Sequence, residues 1–210
     1  MGMRCVKLIH AVDLGPLRIA RIRRLPPSLG AWVALSLLAA CSSASRVTYD
    51  LSAAEGGFAG RAGRGQLAVL LPDAALPARS DRIVIRSDAQ SVAYLPGAQW
   101  ADTLPSLVQS RLIESFQNAR LLREVGRPGI LADVSLQTSI RRFEFDAARG
   151  EADVEIAAQI LASSGRIIAG RIFSSAVPVA SADAPAVAAA LNTALSRVMR
   201  DIVIWTAPQI

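Results

Sequence analysis

Three carboxylates in the C-terminal half of the chain have the spacing that paired-acid chemistry needs. Glu151, Asp153 and Glu155 occupy alternate positions, and on a β-strand residues at i, i+2 and i+4 share one face. Two acids in a cleft can act as a glycosidase pair, and three can form a Ca²⁺ cage. The alternative is the solvated outer face of a half-buried strand, and no calcium-loop motif accompanies these acids.

The thiol of Cys41 is the second chemically distinctive group. It follows a positive segment, 18–24, and a ten-residue apolar segment, 29–38. This order is typical of a secretory signal, and the apolar segment is too short to span about 30 Å of hydrocarbon. Leu38-Ala39-Ala40-Cys41 has the form of a bacterial lipobox, in which the thiol receives a diacylglyceryl group and cleavage occurs just before the cysteine. We predict lipidation of Cys41; a buried signal-anchor cysteine is the alternative.

Cleavage before Cys41 divides the chain into a signal peptide (1–40), a lipidated tether (41–45) and a domain (46–207). It removes His10, Lys7 and Cys5, which are the only histidine, the only lysine and the only other cysteine. The remainder then lacks the base of Ser-His-Asp and Cys-His catalysis, the lysine of phosphate-binding loops and the usual zinc ligands. Carboxylate chemistry is what remains possible, and apart from that alternative we expect no catalytic residue, no metal and no cofactor.

The formal net charge of +6 belongs mainly to the leader. Residues 1–40 contain six basic side chains against one acidic, whereas residues 41–210 contain 17 arginines against 16 acids. A nearly neutral domain without a basic run does not favour nucleic acid as a partner.

Turn signals and periodicity predict short strands followed by a helix. Strands are expected over 46–51 and 66–71, separated by a glycine-rich loop, and a hairpin over 82–94. The first helix is predicted to open at Trp100-Ala101-Asp102, with Asp102 as N-cap and Pro105 in the first turn, and to end near Arg120.

A three-stranded meander is predicted after a short strand over 121–125. Alternation along 130–145 puts Phe143 and Phe145 on the wrong parity, and a β-bulge at Arg141-Arg142 would return both to the core face; an exposed bend is the alternative. Strands over 151–162 and 166–177 complete the meander.

A last helix, capped by Asp183, carries an apolar stripe that ends at Trp205. The sum predicts a single α+β domain with a mostly antiparallel or mixed sheet and two helices on one face. Trp100 and Trp205 are candidate partner contacts, with packing against the sheet as the alternative.

The order of these motifs resembles the ABC-type transport auxiliary lipoproteins. The matching pieces are the lipobox at Cys41, then VTYDL (47–51), RIVIR (82–86), Tyr94 and WADTLP (100–105), which runs into LVQ and RL within 107–112. The resemblance covers essentially the whole chain after Cys41. The QLAVLLP stretch (66–72), which follows an unusually glycine-rich loop, departs from the pattern and leaves the role of that loop open.

The resemblance implies a non-enzymatic, lipid-anchored periplasmic component of a mammalian-cell-entry-type ABC system that moves phospholipids or other hydrophobic molecules between membranes. Implied partners are the permease, the ATPase, the mammalian-cell-entry-type protein and further copies of the chain. Ser42, directly after the lipidated cysteine, favours the periplasmic face of the outer membrane, with the inner membrane as the alternative.

Two other functions stay open at this point. One is a carboxylate-based enzyme acting on envelope glycans through Glu151, Asp153 or Glu155, which would need those acids in a cleft. The other is a structural lipoprotein of a different envelope machine.

Overall fold

A computed structural model describes residues 45–210 of the protein. The signal peptide, Cys41 and Ser42 lie outside the described residues. In chain order the elements are β1 (Val47–Tyr49), β2 (Gln66–Val69), β3 (Asp73–Ala74), β4 (Val84–Arg86), β5 (Val92–Tyr94), β6 (Ala98–Trp100), α1 (Leu104–Ala119), β7 (Glu124–Gly126), β8 (Val134–Asp146), β9 (Glu151–Ala162), β10 (Ile167–Pro178), α2 (Ala184–Thr206) and a 3₁₀ turn (Ala207–Gln209).

The larger sheet is organised around β8, which is 13 residues long. On one side β9 pairs with it antiparallel along its whole length, and β10 continues the meander beyond β9. On the other side β2, β3 and β4 pair with successive parts of β8 in parallel. β7 extends the sheet from β2, β5 pairs with β4, and β1 and β6 form a separate parallel pair. The predicted mixed sheet is confirmed.

The bulge in β8 is where the side-chain parity predicted it. The β8–β9 register shifts between Ile140 and Arg142, which leaves Arg141 as the extra residue. Phe143 and Phe145 are consequently buried on the same face as Ile140. The bulge therefore keeps one continuous apolar face along a strand whose sequence alternation is broken.

Both helices cover that apolar face. α2 lies against β8, β9 and β10, whereas α1 lies against β2 and β7 and also contacts α2. The apolar stripes of both helices and the inward residues of β9 belong to one core cluster, which includes Leu112, Phe116, Leu191, Val198, Ala152, Val154, Ile156, Ala158 and Ile160. The predicted single α+β domain, with two helices on one face of the sheet, is confirmed.

The N-terminus of α2 begins at the residue predicted from sequence, whereas that of α1 does not. Asp183 caps α2 as predicted, because its carboxylate accepts a hydrogen bond from the Ala186 N–H at 2.9 Å. For α1 the prediction was early: the N-cap is Thr103, and Trp100 belongs to strand β6. Asp102 instead accepts bonds from the Thr103 N–H and the Ser106 hydroxyl. It thus links the residue before the N-cap to the Ser106 side chain in the first turn, without accepting a bond from a helix N–H.

The glycine-rich loop whose role the sequence left open lies against the end of α2. Gly63 donates its N–H to the Leu121 carbonyl at 2.8 Å, and Arg64 donates to the Ile210 carbonyl at 3.1 Å. A Cβ on Gly63 would lie 2.6 Å from the Ile210 carbonyl oxygen and 2.8 Å from a Leu122 methyl, and it would also collide with the Ala207 carbonyl. The loop thus needs glycine in order to approach these backbone atoms closely.

We expect Gly63→Ala to lower the free energy of unfolding by about 1–3 kcal/mol, because backbone atoms must move to admit the methyl group. Gly60→Ala is the matched control, since its Cβ would meet only the Leu121 side chain at 3.3 Å and atoms of Ile204 beyond 3.5 Å. Urea unfolding of both variants measures the difference. Equal losses would show that the loop adjusts at Gly63 without cost.

Among the helices of residues 45–210, none combines the length and apolar character that crossing a membrane requires.

Candidate functional site

The two tryptophans singled out from the sequence occupy different environments. Trp100 is 1% exposed and its ring meets Phe143 edge to face, with 5.8 Å between centroids. A partner could reach the Trp100 indole only if the core opened, so packing accounts for this residue. Trp205 is half-buried near the end of α2, and its ring lies 5.5 Å from Phe173 in β10. Trp205 therefore keeps accessible surface beside a strand of the sheet.

The three predicted acids share the outer face of the sheet. Glu151, Asp153 and Glu155 lie opposite Asp146, Glu144 and Arg142 of β8, respectively. The residues that alternate with the acids along β9 point into the core. The predicted common face is thus confirmed.

Arginine side chains cover these acids. Arg142 reaches Asp153 at 2.9 Å and Glu155 at 2.6 Å, and Arg141 reaches Glu155 at 2.8 Å. The side chains of Asp153 and Glu155 are only 7% and 13% exposed. The acids thus lie on the outer face of a half-buried strand, as the alternative to a catalytic or metal role expects, but guanidinium groups shield the carboxylates of Asp153 and Glu155 from solvent.

The same network continues to the hairpin between β8 and β9. Arg149 contacts Asp146 at 2.8 Å and Asp153 at 3.0 Å. The pKa of Asp146 is held below its usual value, mainly by a hydrogen bond from the Arg149 backbone N–H and to a smaller extent by the Arg149 guanidinium. Next to this pair, the Arg86 guanidinium of β4 donates two hydrogen bonds to the Glu144 carboxylate, one to each oxygen. Together these groups border an open depression of about 420 Å³.

The sequence reasoning found the acids but missed the arginines that pair with them. The signal was present in the register: a hairpin turning at 147–150 places Asp146 opposite Glu151, and counting back along β8 from there places Arg142 opposite Glu155. Arg86 could not be found in this way, because β4 joins β8 by parallel pairing between distant parts of the chain.

Ion pairing with arginines, rather than an open cleft, surrounds the acids best placed for catalysis, Asp153 and Glu155. Within residues 45–210 no group of three or more His, Cys, Asp and Glu side chains converges in a way that could hold a metal ion.

We expect Arg142→Ala to destabilise the protein more than Arg141→Ala. Arg142 is the shared partner of two shielded carboxylates, whereas Arg141 contacts Glu155 alone and is about half exposed. Exposed ion pairs contribute about 0.2–1 kcal/mol to the free energy of unfolding, and unpairing a buried charge costs about 3–5 kcal/mol. Because Arg142 is half-exposed, we expect its replacement to lower the free energy of unfolding by an intermediate amount, on the order of 1–2 kcal/mol.

Thermal and urea unfolding of both variants measure this difference, and it should shrink in high salt if solvent reaches the pairs. Equal stabilities of the two variants would mean that Arg149 alone neutralises Asp153.

Comparisons with known proteins agree with the fold. The family model described as ABC-type transport auxiliary lipoprotein component matches residues 49–203. A crystal structure of a protein from Xanthomonas campestris is 31% identical, with a TM-score of 0.72 over 79% of this chain and 95% of that one. A second solved structure, of an uncharacterised protein, has a TM-score of 0.63 at 13% identity over 76% of this chain and 97% of its own, which shows the fold alone.

Among curated sequences, an uncharacterised protein of Bradyrhizobium diazoefficiens is 31% identical over 168 residues, which is 78% of this chain and 45% of the relative. The chain therefore spans less than half the length of that relative. The family match, by contrast, extends from the last residue of β1 to the last turn of α2 and includes the whole of the larger sheet. On that match, the chain belongs to the family of ABC-type transport auxiliary lipoprotein components.

Proposed function

We propose that the protein is a lipid-anchored periplasmic accessory component of a mammalian-cell-entry-type ABC system. In this role it serves the movement of phospholipids or other hydrophobic molecules between membranes. The observation that carries the proposal is the family match over 49–203, and the predicted lipobox that ends at Cys41, upstream of that match, supports it. Its partners would be the permease, the ATPase and the mammalian-cell-entry-type protein of the system.

The tether would keep the domain close to the membrane. Cys41 and the first strand residue, Val47, are six positions apart, and six extended residues span at most about 20 Å. An acylated Cys41 would therefore keep β1 and its partner β6 near the lipid surface. Each buried CH₂ of the acyl chains contributes about 0.8 kcal/mol, so two or more chains suffice for stable attachment.

The proposed work is protein contact rather than catalysis. The carboxylates best placed for catalysis are engaged by arginines, as Asp153 and Glu155 are by Arg142. Residues 41–210 contain neither histidine nor lysine. These observations support an assembly role over glycan processing.

Immunoprecipitation from detergent-solubilised membranes tests the assignment, with a strain lacking the protein as control. We expect to recover an ABC ATPase, a permease and a mammalian-cell-entry-type protein together. Recovery of secretion or pilus components in their place would contradict the proposal and favour another envelope machine.

The proposed location is the periplasmic face of the outer membrane, because serine follows the lipidated cysteine. We expect Ser42→Asp to shift the protein to the inner-membrane fraction of a density gradient, since aspartate at this position tends to retain proteobacterial lipoproteins there. Ser43→Asp is the matched control and should leave the distribution unchanged. Wild-type protein found in the inner-membrane fraction would contradict the outer-membrane location.

A further inference from the structure

The last strand of the large sheet has an open edge. β10 runs for 12 residues and, within the part of the chain that the structure describes, pairs only with β9. The other edge strands of the same sheet, β3, β5 and β7, are only two or three residues long. β10 is therefore the longest row of backbone groups that the sheet leaves unpaired.

The pairing pattern identifies which backbone groups point outward. The Val179 N–H donates to the Gly150 carbonyl at 2.9 Å, which marks that position as a hydrogen-bonded pair of the β9–β10 ladder. Hydrogen-bonded and non-bonded pairs alternate in antiparallel sheets, so from Ala169 onward the odd-numbered residues of β10 bond to β9. The outward N–H and C=O groups belong to Gly170, Ile172, Ser174 and Ala176.

The middle of this edge lacks the usual protection against another strand. Proteins block exposed edges with charged side chains, proline or bulges. On β10 the bulge lies near one end, at Ile168, and Pro178 lies at the other. Between them the only charged side chain is Arg171. The two features delimit a nine-residue stretch, 169–177, that is free to pair.

Apolar side chains lie beside this edge on both faces of the sheet, together with the charged Arg171. On the helix face, the Arg171 guanidinium lies 5.1 Å from the centre of the Phe173 ring, and Phe173 in turn contacts Trp205. On the outer face, Ile172 is 52% exposed. It borders a depression of about 460 Å³ whose lining includes Ala157 and Gly170.

We propose that β10 binds an extended segment of a partner protein as an added strand. The outward N–H and C=O groups would supply the main-chain hydrogen bonds, and alternate side chains of the segment would pack against Trp205 on one face and Ile172 on the other. This inference goes beyond the transporter assignment, since strand addition can be tested without the transporter.

Charge determines which occupant fits best. β10 and the turn before it carry Arg166 and Arg171 and no carboxylate. Within residues 45–210 no carboxylate lies within 4.0 Å of the Arg171 guanidinium. A segment with an acidic residue beside Arg171 would complement this edge, whereas a second copy of β10 would bring another arginine. The occupant is therefore an apolar strand that carries a carboxylate.

The test uses a fluorescent ten-residue peptide that alternates valine and threonine and carries one central glutamate. Ser174→Pro removes an outward N–H without breaking the β9 ladder, and Ser174→Ala is the matched control because it keeps that N–H. We expect the peptide to bind the wild type and Ser174→Ala equally. Binding to Ser174→Pro should be weaker by about tenfold, as expected when a main-chain hydrogen bond is lost and the proline ring blocks close approach.

A charge exchange gives a second, independent measurement. Arg171→Glu should weaken binding of the glutamate peptide and favour the same peptide with lysine at its centre. Equal binding to Ser174→Pro and Ser174→Ala, or no binding of the glutamate peptide to the wild type, would overturn the proposal. Sedimentation without peptide tests whether a second copy of the chain occupies the edge instead. A wild-type dimer that dissociates in the Ser174→Pro variant would show that it does, and would overturn the proposal of a partner strand.

Discussion

Replacing Cys41 with alanine is expected to abolish both lipid labelling and membrane attachment of the protein. The Cys41 thiol is the only group at this position that can accept a diacylglyceryl group, and cleavage of a lipoprotein signal depends on that modification. Without cleavage and acylation, the anchor would be reduced to the apolar segment 29–38, which is too short to span the hydrocarbon core.

Cys5→Ala is the matched control for this experiment. Cys5 is the only other cysteine in the chain and lies before the predicted cleavage position, so this variant should incorporate labelled palmitate like the wild type. Metabolic labelling followed by membrane fractionation measures both variants. Undiminished labelling of Cys41→Ala would rule out lipidation at this residue.

The fold could be predicted from sequence wherever a local pattern determines it. The stripe of α2 and its Asp183 cap follow from helical periodicity and side-chain chemistry. The bulge at Arg141 follows from a single break in alternation, since only an inserted residue returns Phe143 to the core face. Each of these features is specified by residues fewer than about twenty positions apart.

The features that sequence reasoning missed depend on pairing between distant segments. The sequence predicts a helix start where strand β6 lies, because Trp100 and Asp102 resemble an N-terminal turn when the pairing of β6 with β1 is not known. Likewise, β3 is two residues long and exists only because β8 offers it a partner at Ile140. Such short strands carry too few residues for an alternation pattern to be recognised.

The charged face of the sheet shows the same limit at the level of a site. Alternation placed Glu151, Asp153 and Glu155 on one face, and this holds. Whether such acids are reactive or neutralised depends on which arginines approach them, and that in turn depends on the register of β8. A residue-type pattern on one strand can therefore suggest carboxylate chemistry that the neighbouring strand removes.

The substitution with the largest expected effect on stability is Trp100→Ala. The side chain is 1% exposed and contacts Phe143 edge to face, and truncation of a buried tryptophan costs about 3–5 kcal/mol. Trp100 also lies in the parallel pair formed by β1 and β6, so its ring connects that small sheet to the core of the large one. We expect a marked fall in the urea midpoint without a change in the folded secondary structure at low urea.

Two further variants distinguish packing from partner binding as the role of this residue. Trp100→Phe keeps an aromatic ring against Phe143 and should lose less stability than Trp100→Ala, because the cavity left behind is smaller. Trp205→Ala, at a half-buried position beside β10, should cost less stability than Trp100→Ala but weaken the peptide binding proposed for that edge. Unchanged stability of Trp100→Ala would contradict the buried position, since a tryptophan that served a partner alone would leave the free energy of unfolding unaffected.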